Sequence, residues 1–320
     1  MCQKNGDHQE HIVIRKVSKW YGEVLGVNKV NLVIPTGITS LVGPNGSGKT
    51  TLMNLITGLI RPSKGDIRIL DIPPDQPEKL FRLLGYSPQY GIGYEWLTGF
   101  EFLNSILRIH GFSKNEAEEL ALIALERVNM LKNKDRKIGS YSKGMHQRIK
   151  LALAIAHHPR ILILDEPLHG LDPMARIELI DLFHQFAADK KLIVISSHIL
   201  HEVEALSDNV VILNHGYVIA EGDVHTVRSE IKVQHPLQIL IRCDEPSLLS
   251  ARLFELDGLV SVNILEDQKS LLVRTRNIDN FYELINKLVT ENVIDIETMT
   301  PADDNVQAVY DYLIRPGMVE

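Results

Sequence analysis

Eight consecutive residues, Gly43-Pro44-Asn45-Gly46-Ser47-Gly48-Lys49-Thr50, match the pattern G-x-x-x-x-G-K-[ST]. Each part has a chemical task. The glycines let the backbone turn so that successive N–H groups point at one anion. A helix that begins where the loop ends aims its positive end at the same place. A lysine at this position reaches the β- and γ-phosphates, and the Thr50 hydroxyl is a ligand for Mg²⁺. Further on, Ile161-Leu162-Ile163-Leu164-Asp165-Glu166-Pro167 brings two carboxylates to the end of an apolar run. In phosphoryl-transfer sites an aspartate so placed helps hold the Mg²⁺ shell. The adjacent Glu166 is placed to orient the attacking water or to take its proton. Together the two motifs allow a nucleoside triphosphate to be bound with Mg²⁺ and its terminal phosphate to be removed. A guanine-reading Asn-Lys-x-Asp is absent, because Asp135 follows Asn133-Lys134 one place too early. GTP is therefore disfavoured.

These groups need strands that end side by side and a helix behind the loop. ITSLV (38–42) is a short apolar run that stops at Gly43, and KTTLMNLITGL (49–59) carries Leu52, Leu55, Ile56 and Leu59 at helical spacing. RILILD (160–165) and KLIVISS (191–197) are continuous apolar runs, which suits strands buried on both faces of a parallel sheet. Between them, PMARIELIDLFHQFAA has Ile177, Ile180, Phe183 and Phe186 at helical spacing, giving a βαβ unit. HIVIRKV, VNKVNLVI and GDIRILDI read as further strands, and VVILNHGYVIAEG as a hairpin. Residues 95–158 read as mostly helical. After about residue 235 the pattern resets to β-α-β-β-α-β, the ferredoxin-like order, with His235-Pro236 as boundary. The expected organisation is a disordered lead-in over 1–10, a nucleotide-binding domain over 11–230 and an accessory domain over 236–320.

Composition narrows the function class. The chain has 320 residues, with 34 Lys plus Arg against 41 Asp plus Glu, a formal charge of −7. A chain devoted to nucleic-acid phosphates is usually basic, at least in one domain. No apolar run approaches the ~18 residues that span a bilayer, and the polar N-terminus has no signal-peptide core. Cys2 and Cys243 have no metal-ligand spacing, so a disulfide framework is excluded and a reducing compartment is the default. His157-His158 reads as a helix end, and the basic runs KNKDRK and HQRIK read as solvated helix surfaces.

In motif order over about residues 11–230 the sequence resembles the ATP-binding subunit of ABC transporters, of the ABC-2 exporter type. Tyr21, in KWYG, resembles the aromatic that stacks on adenine, and Gln89, in YSPQ, the glutamine that senses the γ-phosphate and Mg²⁺. Tyr141-Ser142-Lys143-Gly144-Met145 resembles the signature motif, with Lys143 and Met145 departing from the common Leu-Ser-Gly-Gly-Gln. Asp165 and Glu166 resemble the Walker B pair, Asp172 in Gly170-Leu171-Asp172-Pro173 the D-loop, and His198 the switch histidine. Physically, Ser142 and Asp172 also suit helix N-caps. The resemblance implies a P-loop α/β cassette: a mixed, largely parallel core sheet with antiparallel and helical subdomains, followed by a small ferredoxin-like α+β domain.

It also implies the site residues. Nucleotide contacts fall to Tyr21, Gly43, Pro44, Asn45, Gly46, Ser47, Gly48, Lys49, Thr50 and Thr51, and to Ser142, Gly144 and Asp172. Thr50, Gln89 and Asp165 would attend Mg²⁺, while Glu166, His198 and Gln89 would serve hydrolysis of ATP. The implied assembly is a head-to-tail pair, each loop facing the other copy's signature helix. It would drive a separate polytopic permease from the cytoplasmic face, with no nucleic-acid partner. A soluble ATPase acting on nucleic acid or ribosomes is the alternative. Trp96, Phe100 and Phe102 are candidates for a membrane-partner groove beside Gln89. The C-terminal segment offers no nucleotide loop and reads as a dimer-stabilising or docking module.

Overall fold

The computed structural model describes residues 11–89, 93–198, 200–224, 226, 237–291 and 293–301. The expected lead-in and the boundary at His235-Pro236 lie outside them. The chain divides into two compact units, one of Met1–His198 with Glu202–Gly222 and another of Ile199–His201 with Asp223–Glu320.

The first unit contains two sheets. Strands β1 (Ile12–Tyr21), β2 (Val24–Ile34) and β4 (Lys64–Ile69) form an antiparallel sheet in the order β2-β1-β4. Strands β3 (Gly37–Val42), β5 (Leu84–Ser87), β6 (Ile161–Leu164), β7 (Leu192–Ser197), β8 (Asn209–Asn214) and β9 (Tyr217–Asp223) form a second, in the order β5-β6-β7-β3-β8-β9. The β5–β6, β6–β7, β7–β3 and β3–β8 pairs are parallel. Ser87 pairs with Leu164, Leu164 with Ile195, and Val42 with Ser197. This register brings the carboxyl ends of β3, β5, β6 and β7 to one edge, where α/β sheets bind ligands.

The apolar runs of β6 and β7 are buried on both faces, as their composition demands. Ile161, Ile163 and Val194 pack with Leu52, Met53, Leu55 and Ile56 of α1 (Lys49–Ile56) and with the antiparallel sheet. Leu162, Leu164, Ile193 and Ile195 face the other way, into a core shared with the helices. Those are α3 (Gly99–Ile109), α4 (Lys114–Arg127), α5 (Lys143–Ile155) and α6 (Pro173–Ala188). Both α3 and α4 open with a capping box, Thr98–Glu101 and Ser113–Glu116, which satisfies free N–H groups at each start. A four-residue helix α2 (Pro77–Leu80) precedes β5, and α7 (Leu200–Leu206) follows β7.

Two expected core faces are corrected. Leu59 lies past the end of α1 and is exposed. On α6, Ile177 is 54% exposed, and the buried face is Ala175, Leu179, Leu182, Phe183 and Phe186. Met174, Ile177, Leu179, Ile180 and Leu182 make this helix apolar over most of its circumference, so spacing alone leaves its phase open.

In the second unit, β10 (Leu237–Cys243), α8 (Pro246–Leu253), β11 (Leu259–Ile264), β12 (Ser270–Thr275), α9 (Ile278–Thr290) and β13 (Ile296–Pro301) follow one another. The sheet order β11-β12-β10-β13, with antiparallel pairs, is the ferredoxin-like arrangement. Its core joins Ile239, Ile241, Leu271 and Val273 to Leu249, Leu253, Phe281 and Ile285.

Candidate active site

The glycine-rich loop joins β3 to α1. Gly48, just ahead of α1, has φ 106°, and a Cβ there would lie 2.6 Å from the Gly26 carbonyl oxygen. Only glycine fits both the conformation and the close approach. No acid occupies the first turn of α1, so its positive end is uncompensated. Lys49 is buried and its Nζ donates to the Gly43 and Pro44 carbonyls. Burial pushes its ammonium down in pKa, against an upward pull from the Glu166 and Asp165 carboxylates. The buried Ser47 Oγ has no hydrogen-bond partner. An orphaned hydroxyl and a desolvated ammonium on a loop of this shape fit a phosphate.

The strand ends complete the site. Asp165, at the end of β6, is buried; its Oδ2 accepts from Thr50 Oγ1 at 2.8 Å and its Oδ1 from Ser196 Oγ. Ser196 Oγ also accepts from the Glu166 N–H at 2.7 Å. Glu166 has φ 48°, a left-handed conformation that glutamate rarely adopts. Its carboxylate receives Gln89 Nε2 at 3.2 Å on Oε2 and lies 3.3 Å from His198 Nδ1 at Oε1. His169 Nδ1 is 3.9 Å from the same carboxylate. Thr50, Asp165 and Gln89 offer hydroxyl, carboxylate and amide oxygens, the hard donors that suit Mg²⁺.

A cavity of about 530 Å³ lies over the loop. Tyr21, Gly26, Asn45, Gly46, Gly48, Lys49, Thr50, Thr51, Gln89 and Glu166 line it. Tyr21 is half-exposed at its mouth, with Lys19 Nζ 5.4 Å from the ring centre. Gly43 and Pro44 take part through their carbonyls. No residue of the segment 141–145 is among the lining residues, nor is Asp172. Ser142 instead caps α5 by accepting from the Met145 N–H at 3.3 Å, with Lys143 and Gly144 opening that helix. Asp172 caps α6 by accepting from the Ala175 N–H at 2.9 Å.

Two expectations change on contact with the structure. HQRIK is not a solvated surface. Gln147 is buried and its Nε2 donates to the Glu166 carbonyl at 3.0 Å; Lys150 is buried on the Pro88 and Gln89 carbonyls; Arg148 pairs with Glu178 at 2.8 Å. KNKDRK does lie at the surface: Lys132, Asp135, Arg136 and Lys137 are exposed, Lys134 pairs with Asp135, and Arg136 donates to the Ser140 carbonyl. Phe102 is 1% exposed and belongs to the core, whereas Trp96 is 65% exposed. Sequence motifs do not point to Ser196, Gln147, Lys150 or His169. The one available signal is the i, i+3 spacing of Gln147 and Lys150, which puts them on one helix face.

Comparison with known proteins identifies the family and the fold. Residues 27–169 match the ABC transporter family. Over 192 residues the chain is 38% identical to the uncharacterized ABC transporter ATP-binding protein YxlF of Bacillus subtilis, covering 60% of this chain and 63% of that protein. It is 30% identical over 306 residues to the bacitracin transport ATP-binding protein BcrA of Bacillus licheniformis, covering 95% of this chain and 97% of that one. Among solved structures it resembles the dimeric post-hydrolysis state of the ATP-binding cassette MJ0796 bound to ADP and Pi. That match has TM-score 0.62 and 25% identity, over 67% of this chain and 98% of the other.

Proposed function

The chain belongs to the family of ABC transporter ATP-binding proteins, and we propose that it hydrolyses ATP through Glu166 to drive a separate membrane permease of the exporter type. ATP binding and hydrolysis are the family's shared chemistry; the roles of individual residues are proposed on their geometry. One observation carries them: a single carboxylate, Glu166, sits on a strained backbone at the cavity wall, held by Gln89 at 3.2 Å and faced by His198 at 3.3 Å. A carboxylate held this way can orient a water and take its proton. Lys49, the loop N–H groups and the positive end of α1 would hold the phosphates, and Tyr21 would stack on adenine. Mg²⁺, when bound, supplies charge neutralisation on the phosphate oxygens, with Thr50, Asp165 and Gln89 as its holders. His198 would hold the γ-phosphate side of the site.

Ser142, Gly144 and Asp172 would serve the site of a second copy. They lie outside their own chain's cavity, so contact with nucleotide needs a partner's loop. Closure of two copies over two nucleotides is differential binding used as a switch. A separate permease is part of the proposal, and it is supported by the absence, among the described residues, of any helix long and apolar enough to cross a membrane. That partnership would hold the chain at the cytoplasmic face. An apolar cleft of about 250 Å³ between Leu59, Phe81 and Leu84 on one side and Ile106, Leu153 and His157 on the other is its proposed seat. The division into a nucleotide-binding domain over 11–230 and an accessory domain over 236–320 is part of the same proposal.

The test is Mg²⁺-dependent ATP hydrolysis by the purified chain against Lys49→Ala. Removing charge-assisted contacts to phosphate should weaken nucleotide binding by about tenfold to a hundredfold. Unchanged ATP affinity would exclude the loop as the phosphate holder.

A further inference from the structure

Gln147, Lys150, Ala154 and His157, on α5 and just past its end, fall on one stripe at helical spacing, the first, second and fourth making contact through side chains and Ala154 through its backbone. Each meets the hydrolytic carboxylate's backbone or the segment from Leu84 to Gln89. Gln147 Nε2 donates to the Glu166 carbonyl at 3.0 Å. Lys150 Nζ donates to the Pro88 carbonyl at 2.9 Å and the Gln89 carbonyl at 3.1 Å. Ala154 approaches β5 so closely that a Cβ on Gly85 would overlap its carbonyl oxygen. His157 Nε2 lies 3.2 Å from the Leu84 carbonyl.

Lys150 is the unusual member. A buried ammonium is strongly unfavourable unless its protons are taken. Here burial pulls its pKa down and the Asp165 carboxylate pulls it up. An apolar side chain would fill the same space without that cost, so packing alone does not explain a lysine. What the ammonium does is grip the two carbonyls that bracket the start of the glutamine segment. The side chain leaving that backbone is Gln89, whose amide donates to Glu166 Oε2.

We propose that Lys150 is a positioning residue for hydrolysis: it fixes the Pro88–Gln89 backbone to α5, and so keeps the Gln89 amide on Glu166. The helix that begins at the signature segment is thereby tied, within one chain, to the carboxylate that activates water. The inference rests on the hydrolytic role of Glu166. It adds a residue that does not line the cavity over the loop.

Lys150→Met keeps the stem and removes the donors; Lys150→Arg returns them. The readouts on the full-length chain are steady-state Mg²⁺-ATP hydrolysis, affinity for a non-hydrolysable ATP analogue and the unfolding midpoint. Misplacing Gln89 and Glu166 should lower kcat of Lys150→Met by about tenfold to a hundredfold. KM and analogue affinity should stay within about twofold, as for an interaction made only on the way to the transition state. Lys150→Arg should recover most of the lost rate. A Lys150→Met chain at the wild-type kcat would overturn the inference. So would a loss of rate matched by equal losses of analogue affinity and unfolding midpoint that arginine does not relieve. A wild-type chain without hydrolysis would instead overturn the role of Glu166, and this inference with it.

Discussion

At the scale of single residues, the site is a set of oxygens held in place by hydroxyl donors. Ser196 joins both members of the acidic pair, donating to Asp165 and accepting from the Glu166 N–H. Its removal leaves a buried N–H and a buried carboxylate oxygen each short of a partner. Ser196→Ala should therefore cost about 1–3 kcal/mol in urea unfolding and lower kcat, because the left-handed turn at Glu166 loses its tether. Glu166→Gln is isosteric and leaves the loop untouched. It should retain ATP binding while turnover falls about a hundredfold or more, the usual range for a lost general base. Steady-state hydrolysis at the wild-type rate in that variant would exclude Glu166 as the base. Asp165, Glu166 and Lys49 were legible in the sequence because their motifs are contiguous and each letter has one task. Ser196 and Gln147 were not, because a serine in a strand or a glutamine on a helix reads alike whether it faces solvent or a carboxylate. Only the parallel register, which sets Leu164 beside Ile195, decides that Ser196 meets Asp165.

At the scale of elements, the packing of β5 on α5 decides where the glutamine segment begins. A Cβ on Gly85 would overlap the Ala154 carbonyl oxygen and fall 2.8 Å from its carbon. Both are backbone atoms, so a strand or a helix must move. Gly85→Ala should destabilise the chain by about 1–3 kcal/mol, the range for overpacking, and should lower kcat as well, since Gln89 lies two residues past the end of β5. The same helix ends near His157, whose pKa is pushed down to about 4, first by burial and then by His110, while the Leu84 carbonyl opposes the shift. His110 and His158 are pushed down by burial too, and Lys191 adds positive charge. Above the unfolded value of 6.5 both states hold His157 neutral. As pH falls from 6.5 toward 4, the unfolded chain takes a proton that the folded chain refuses, so stability is lost. The loss from His157 is on the order of 3 kcal/mol, complete below pH 4. Urea unfolding at pH 7 and pH 5 should show the decline, and His157→Gln should reduce it. Element types were readable from the sequence, since continuous apolar runs on β6 and β7 demand burial on both faces. Helix phase was not: α6 is apolar nearly all round, and which side faces the core is set by what β6 and β7 present to it.

At the scale of the whole molecule, the proposed nucleotide site draws on two chains. The loop, Tyr21, Gln89 and Glu166 line the cavity of one chain, while Ser142 and Gly144 open a different helix and reach none of that cavity. No acid stands in the first turn of α5, and exposed Lys143 adds positive charge to its start. That end is suited to an anion brought by a second copy. The proposed arrangement would be heterologous within each site yet close after two copies, because each chain offers one loop and one signature end. A mixing experiment separates this from hydrolysis by a single chain. Lys49→Ala removes the phosphate lysine and keeps the signature end. Ser142→Arg keeps the loop and blocks that end. Each variant alone should hydrolyse ATP poorly, since both of its paired sites carry a defect. In an equal mixture, half of the pairs are mixed, and each mixed pair has one site with an intact loop facing an intact signature end. Activity should then rise to about one quarter of the wild-type value, and should fall again when either variant is in large excess. If the sites work within one chain, the mixture can give only the average of the two variants at every ratio.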